Sequence, residues 1–70
     1  MRTIDARGLS CPQPVFLALE AIKTGKDSVV EIRVDNAVAV ENVTRAATSS
    51  GWSVAVAGAG EEMLLTLARQ

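Results

Sequence analysis

The chain contains no histidine, a single cysteine, one phenylalanine and one tryptophan among its 70 residues. Without histidine it lacks the usual general base near neutral pH and the commonest metal ligand, which sets serine, cysteine and zinc hydrolase chemistry aside. A lone cysteine can form neither an internal disulfide nor a Cys-rich metal site, whereas a small secreted domain commonly carries an even set. The thiol of Cys11 is therefore free, and either structural or reactive. No apolar run is long enough to cross a bilayer, and Arg2 leads straight into Thr3, Ile4 and Asp5 with no basic leader before an apolar segment. We expect a cytoplasmic protein that needs no membrane. Seven basic and eight acidic residues give a formal net charge of −1, spread without a basic stripe, and Phe16 and Trp52 make no aromatic platform, so no nucleic-acid partner is expected.

What the chain does have is apolar content: 49% of its residues are hydrophobic, enough to argue against disorder. Seventy residues suffice for one domain and not for two, since a shorter half could not bury a useful core, so residues 1–70 are expected to form a single domain. Residues 2–6 alternate as a half-buried strand, with Arg2, Ile4 and Ala6 on one side. Pro12 suits the first position of a helix running to Thr24, with Cys11 as its N-cap, Val15, Ala18, Leu19 and Ile22 as its apolar stripe, and Gly25 as its stop. Residues 28–34 alternate again, with Val30, Ile32 and Val34 on one face. Asp35-Asn36 can cap a second helix whose buried stripe is Val40, Val43 and Ala47, with Glu41 and Arg45 as an exposed pair. Gly51 ends it. Trp52, Val54 and Val56 form one strand, Gly58-Ala59-Gly60 a tight reversal, and Met63, Leu65 and Leu67 a last strand.

One apolar face per strand and one stripe per helix predict an α+β fold in the order βαβαββ. It is a two-layer sandwich with two helices packed on one face of a mixed four-stranded sheet. The first two strands should be parallel with a right-handed crossover, and the last two antiparallel. The other sheet face, with Val29, Ala55, Leu64 and Ala68, is partly apolar and could support a dimer or a covering domain.

Chemistry concentrates in Gly8-Leu9-Ser10-Cys11-Pro12-Gln13-Pro14, between the first strand and the first helix. At a helix N-terminus the unpaired N–H groups and the dipole favour an anion, so a thiol there ionises more readily than a free cysteine. Pro12 and Pro14 remove two of those N–H groups, which leaves the dipole and a moderate activation. Arg7 can add positive charge or point away into water. By residue chemistry alone Cys11 is as well read as a small buried apolar residue as a reactive thiol.

The run from Asp5 to Val15, Asp-Ala-Arg-Gly-Leu-Ser-Cys-Pro-Gln-Pro-Val, resembles the signature of the TusA/SirA-like family, whose hallmark is Cys-Pro-x-Pro at the start of the first helix. The resemblance extends over nearly the whole chain. It implies a βαβαββ sandwich likened to the C-terminal domain of a bacterial translation initiation factor. It also implies a small sulfur carrier in sulfur or selenium metabolism, with sulfurtransferase-type chemistry rather than a classical enzyme's pocket. Cys11 would form the persulfide, with Gly8, Pro12 and Pro14 as the rigid frame and Arg7, Gln13 and Phe16 as candidate partner contacts. The implied partners are a persulfide donor such as a cysteine desulfurase and a downstream acceptor protein; no cofactor and no metal are implied. The stretches Val34-Asp35-Asn36, Val40-Glu41-Asn42-Val43 and Ser50-Gly51-Trp52 resemble the branch called YedF, associated with selenium metabolism. The carriers that serve tRNA thiolation tend to have Asp-Pro where this chain has Asn36-Ala37. YedF members often continue into a DsrE-like domain, so a DsrE-like partner or fused domain is expected, and both a stand-alone protein and a fragment fit.

Two rival functions remain on the sequence. One is a protein-binding or regulatory module in which the Cys-Pro-x-Pro turn is only structural. The other is an RNA-binding domain, by analogy of fold alone. Phe16, off the main stripe beside Glu20 and Lys23, is expected at the edge of the core, Gln13 in solvent, and Trp52 in the core.

Overall fold

Six elements appear in the expected βαβαββ order: β1 (Arg2–Asp5), α1 (Gln13–Thr24), β2 (Val29–Val34), α2 (Ala37–Ser49), β3 (Trp52–Ala59) and β4 (Glu62–Arg69). The structure, a computed structural model, describes residues 2–9 and 12–69; Met1, Ser10, Cys11 and Gln70 lie outside the described residues. The strands form one mixed sheet in the order β1-β2-β4-β3. β1 and β2 are parallel, while β4 runs antiparallel to both of its neighbours, β2 and β3. The sheet order follows burial capacity. β4 carries Leu65 and Leu67, both fully buried, and takes a central place; β3, built largely from alanine, glycine and valine, is left at the edge.

Alternation sets the core. Val30, Ile32 and Val34 of β2 and Leu65 and Leu67 of β4 all point to one side and are fully buried there with Ala18 of α1 and Val43 and Ala47 of α2. Each such Val, Leu or Ile contributes about 1.5–3 kcal/mol by leaving water. Small residues at the helix contacts, Ala18, Ala21, Ala39 and Ala47, let both helices lie close to the sheet. Trp52 is 5% exposed, as expected of a core residue, and the Arg69 guanidinium covers its ring at 5.5 Å while donating to the Gly25 carbonyl at 2.9 Å.

Both helices end where capping chemistry says they should, with adjustments. Asn36 caps α2, its side-chain oxygen accepting from the Ala39 N–H at 2.8 Å. Glu41 and Arg45 pair at 2.9 Å one turn apart. The buried stripe of α2 is Ala39, Val43 and Ala47, with the expected Val40 only partly buried. In α1 the buried residues are Pro14, Ala18 and Ala21, and Leu19 does not join the core cluster. The α1 stripe turns toward α2 as well as the sheet, which spacing along one helix does not reveal.

The last hairpin turns two residues later than its glycines suggest. β3 continues through Gly58 and Ala59, Ala59 pairs with Glu62, and the reversal is Gly60-Glu61. Gly60 has φ +65° and Glu61 no positive φ, the pattern of a type II′ turn with glycine first. Gly58 has another reason to be glycine: its φ is +88°, and a Cβ there would be driven into the backbone carbonyl of Glu62. Gly58→Ala should therefore destabilise by about 1–3 kcal/mol, read as a lowered urea midpoint at unchanged slope. Gly60→Ala, which meets nothing within 4 Å, should cost less.

Candidate functional site

β1 and β2 are parallel, so α1 and α2 both begin at the same end of the sheet, and the segment of interest crosses that end. The ladder persists one residue past β1, where the Ala6 N–H donates to the Arg33 carbonyl at 2.9 Å and buries the alanine methyl. The chain then turns at Arg7-Gly8, with Gly8 at φ +78°, a left-handed conformation that costs other residues more. The Gly8 N–H donates to Asp35 Oδ2 at 2.8 Å, and Asp35 Oδ1 accepts from Asn36 Nδ2 at 2.9 Å. A chain of bonds thus joins the loop before the Cys-Pro-x-Pro segment to the cap of α2.

Arg7 does not point freely into water. Its Nε donates to Asp5 Oδ1 at 2.9 Å and a terminal nitrogen to Asp5 Oδ2 at 2.8 Å, while its backbone N–H reaches Oδ1 at 3.1 Å. The guanidinium and amide hold the Asp5 carboxyl well below its ordinary range, and the carboxylate in turn raises the Arg7 pKa. Both partners are exposed, so the pair orients the turn more than it stabilises the fold. The Arg7 charge is thus partnered by Asp5.

At the start of α1, Pro12 occupies the N-cap position expected for Cys11, and Gln13 is the first helical residue. The first helical bond runs from the Phe16 N–H to the Pro12 carbonyl at 3.1 Å. Pro12 and Pro14 have no N–H, so Gln13 and Val15 carry the free donors of the first turn. Among the described residues no side chain caps this helix, and its first turn holds no acidic residue. Its positive end is therefore left unneutralised by the turn itself. Pro14 is buried and anchors the turn; Pro12 and Gln13 are exposed.

Phe16 is 63% exposed rather than at the edge of the core, because it lies on the side of α1 opposite Pro14, Ala18 and Ala21. The cleft between the starts of the two helices, lined by Leu9, Pro14, Val15, Asn36, Ala39 and Asn42, holds about 20 Å³, room for about one water. Cys11, the candidate reactive residue, lies outside the described residues; of the residues expected around it, Pro14 is buried, and Arg7, Gly8, Pro12, Gln13 and Phe16 are exposed.

Asp35 was legible only as part of a cap. Its bond to Gly8 spans 27 residues, and no local pattern announces it. The Gly8 N–H, first, and the Asn36 amide hold the Asp35 carboxyl below its ordinary value. What the ionised carboxylate contributes to this loop is thus fully present above the unfolded carboxylate pKa of about 3.9, and is lost as pH falls below it. Asp35→Ala should lower the hydrogen-exchange protection factor of the Gly8 amide at neutral pH, and the wild type should lose that protection only in acid; equal protection factors at neutral pH would show that the bond does not hold the loop.

Among the described residues no helix is long and apolar enough to cross a membrane. No curated protein matches the chain. Among solved structures it is similar to a SirA-like protein from Desulfitobacterium hafniense, with a TM-score of 0.88 and 30% identity, over 97% of this chain and 96% of that one. The family model described as Sulfurtransferase TusA matches residues 2–67. Proteins of that family are carriers of the sulfurtransferase type that relay sulfur between partner proteins. With the family match spanning residues 2–67 and a SirA-like structure superposing over 97% of the chain, the chain belongs to the TusA sulfurtransferase family.

Proposed function

We propose that Cys11 is the sulfur-carrying residue, a persulfide relay in sulfur or selenium metabolism, and that residues 1–70 act as one carrier domain. The observation that carries this reading is the unneutralised positive end of α1. Cys11 is bonded in the chain to Pro12, the N-cap residue of α1. A thiolate at that point is favoured by the dipole and opposed by no first-turn carboxylate.

The chemistry is exchange at sulfur. The Cys11 thiolate attacks the terminal sulfur of a donor persulfide, the donor's S–S bond breaks, and the donor cysteine leaves as a thiolate while Cys11 becomes the persulfide. An acceptor nucleophile attacks the terminal sulfur in its turn and releases the Cys11 thiolate. Nothing is oxidised or reduced overall. No histidine, metal or deep pocket is required, and the one-water cleft beside the site suits a carrier whose partners complete the site. The exposed Gln13 and Phe16 supply contact surface on α1 for a donor such as a cysteine desulfurase, for an acceptor, or for a DsrE-like partner. A reducing cytoplasmic setting keeps such a thiol available. The depression beside the loop carries Asp5, Asp35, Glu61 and Glu62 around Arg7, an acidic rim that disfavours nucleic acid at this end. Incubation with a cysteine desulfurase and cysteine, followed by intact mass measurement, should add one sulfur atom per chain, removable by a reducing thiol; a protein that stays unmodified while the desulfurase turns over would remove the proposal.

A further inference from the structure

The two edges of the sheet are unlike. β1 is four residues long and carries Arg2 and Asp5, the short, charged form that keeps an edge from pairing. β3 is eight residues long, Trp-Ser-Val-Ala-Val-Ala-Gly-Ala, without a charge or a proline. The chain as a whole is 21% charged, so this uncharged edge stands apart. Val56, on the helix side of β3, is 51% exposed because the helix layer does not reach that far along the strand.

The register shows which backbone groups are free. The Arg69 N–H donates to the Ser28 carbonyl at 2.9 Å, so Arg69 and, by alternation, Leu67, Leu65 and Met63 direct their backbone groups toward β2. The residues between them face β3, where their partners are Ser53, Ala55, Ala57 and Ala59. Trp52, Val54, Val56 and Gly58 are left with N–H and C=O groups directed at the open edge.

We propose that this edge pairs with the same edge of a second copy of the chain, antiparallel and two-fold symmetric about Ala55. That register sets Val54 opposite Val56 of the second copy and Trp52 opposite its Gly58, so residues with free backbone groups meet residues with free backbone groups. Ala55 faces its own counterpart as a non-hydrogen-bonded pair. The sequence fits its own reverse: valine lies beside valine on the helix side, covering the exposed Val56, and serine or alanine lies beside alanine on the other side. No charge of β3 opposes a charge, which a partner with an ordinary charged strand would not match as well. The two sheets become one of eight strands. Pairing leaves the segment between β1 and α1 free in each copy, because β1 is at the opposite edge, roughly 14 Å across the sheet.

Two measurements test this on the full chain. Sedimentation over a concentration series should show a shift from 7.3 kDa toward twice that mass. Val56→Lys should abolish the shift with its circular dichroism unchanged. In a Cys11→Ser background, Ala55→Cys should form an intermolecular disulfide readily, since facing Cα atoms of a non-hydrogen-bonded pair stand about 4.5 Å apart. Ala59→Cys, which would face Gly51 of the second copy, should not. A protein that stays at 7.3 kDa at every concentration, a dimer that survives Val56→Lys, or cross-linking without preference for position 55 would each overturn the proposal.

Discussion

Replacing Cys11 by serine should abolish sulfur uptake entirely while leaving the unfolding midpoint near that of the wild type. The loss should be complete rather than graded because the chain has no second thiol to substitute. The remaining sulfur atoms, in Met1 and Met63, are thioethers with no proton to lose, and a serine hydroxyl does not ionise near neutral pH. The fold should be indifferent, since serine is nearly isosteric with cysteine and the substitution leaves Ile32, Leu65, Leu67 and their neighbours in place. Mass measurement after desulfurase treatment, paired with urea unfolding, separates the two effects. A serine variant that still gains sulfur would move the site elsewhere, and one that no longer folds would give Cys11 a structural part.

Ile32→Ala should bring the protein close to unfolding at room temperature. Ile32 is fully buried on β2, which is flanked by β1 and β4, and removing its outer carbons from a packed interior costs about 2–5 kcal/mol. A chain of this length has roughly 3–10 kcal/mol in total. Phe16→Ala removes a larger side chain and should cost less than about 0.5 kcal/mol, because 63% of Phe16 is already in water. Urea midpoints for the pair give the comparison: burial, not size, sets the order. If Phe16→Ala were the more destabilising, Phe16 would have to be covered in solution.

Local signals in the sequence carried most of the fold. The alternation of Val30, Ile32 and Val34 identified β2 and its buried face, Asn36 marked the start of α2, and Gly25 the end of α1. What was hidden was non-local. That β4 lies between β2 and β3 depends on which strand can fill the centre, and the paired leucines of β4 against the alanines of β3 are the only hint. The reversal was drawn to Gly58, whose glycine answers a close approach of the Glu62 carbonyl, while the turn is made at Gly60-Glu61. At the candidate site the motif was visible as residue types, yet its support was not: Asp35 reaches Gly8 from across the sheet end, and Arg7 is held by Asp5. The spacing did take Phe16 off the main stripe, beside Glu20 and Lys23, but how far the core reaches around α1 was not legible, and the residue expected at its edge is 63% exposed.

The most direct test of the sulfur reading is the pH dependence of alkylation at Cys11 in the native protein, followed by mass. On the proposed reading Cys11, which precedes the N-cap of α1 in the chain, should alkylate in the native protein with a midpoint moderately below the free-cysteine value of about 8.5. A midpoint at or above that value, or a thiol that reacts only after the chain is unfolded, would contradict it.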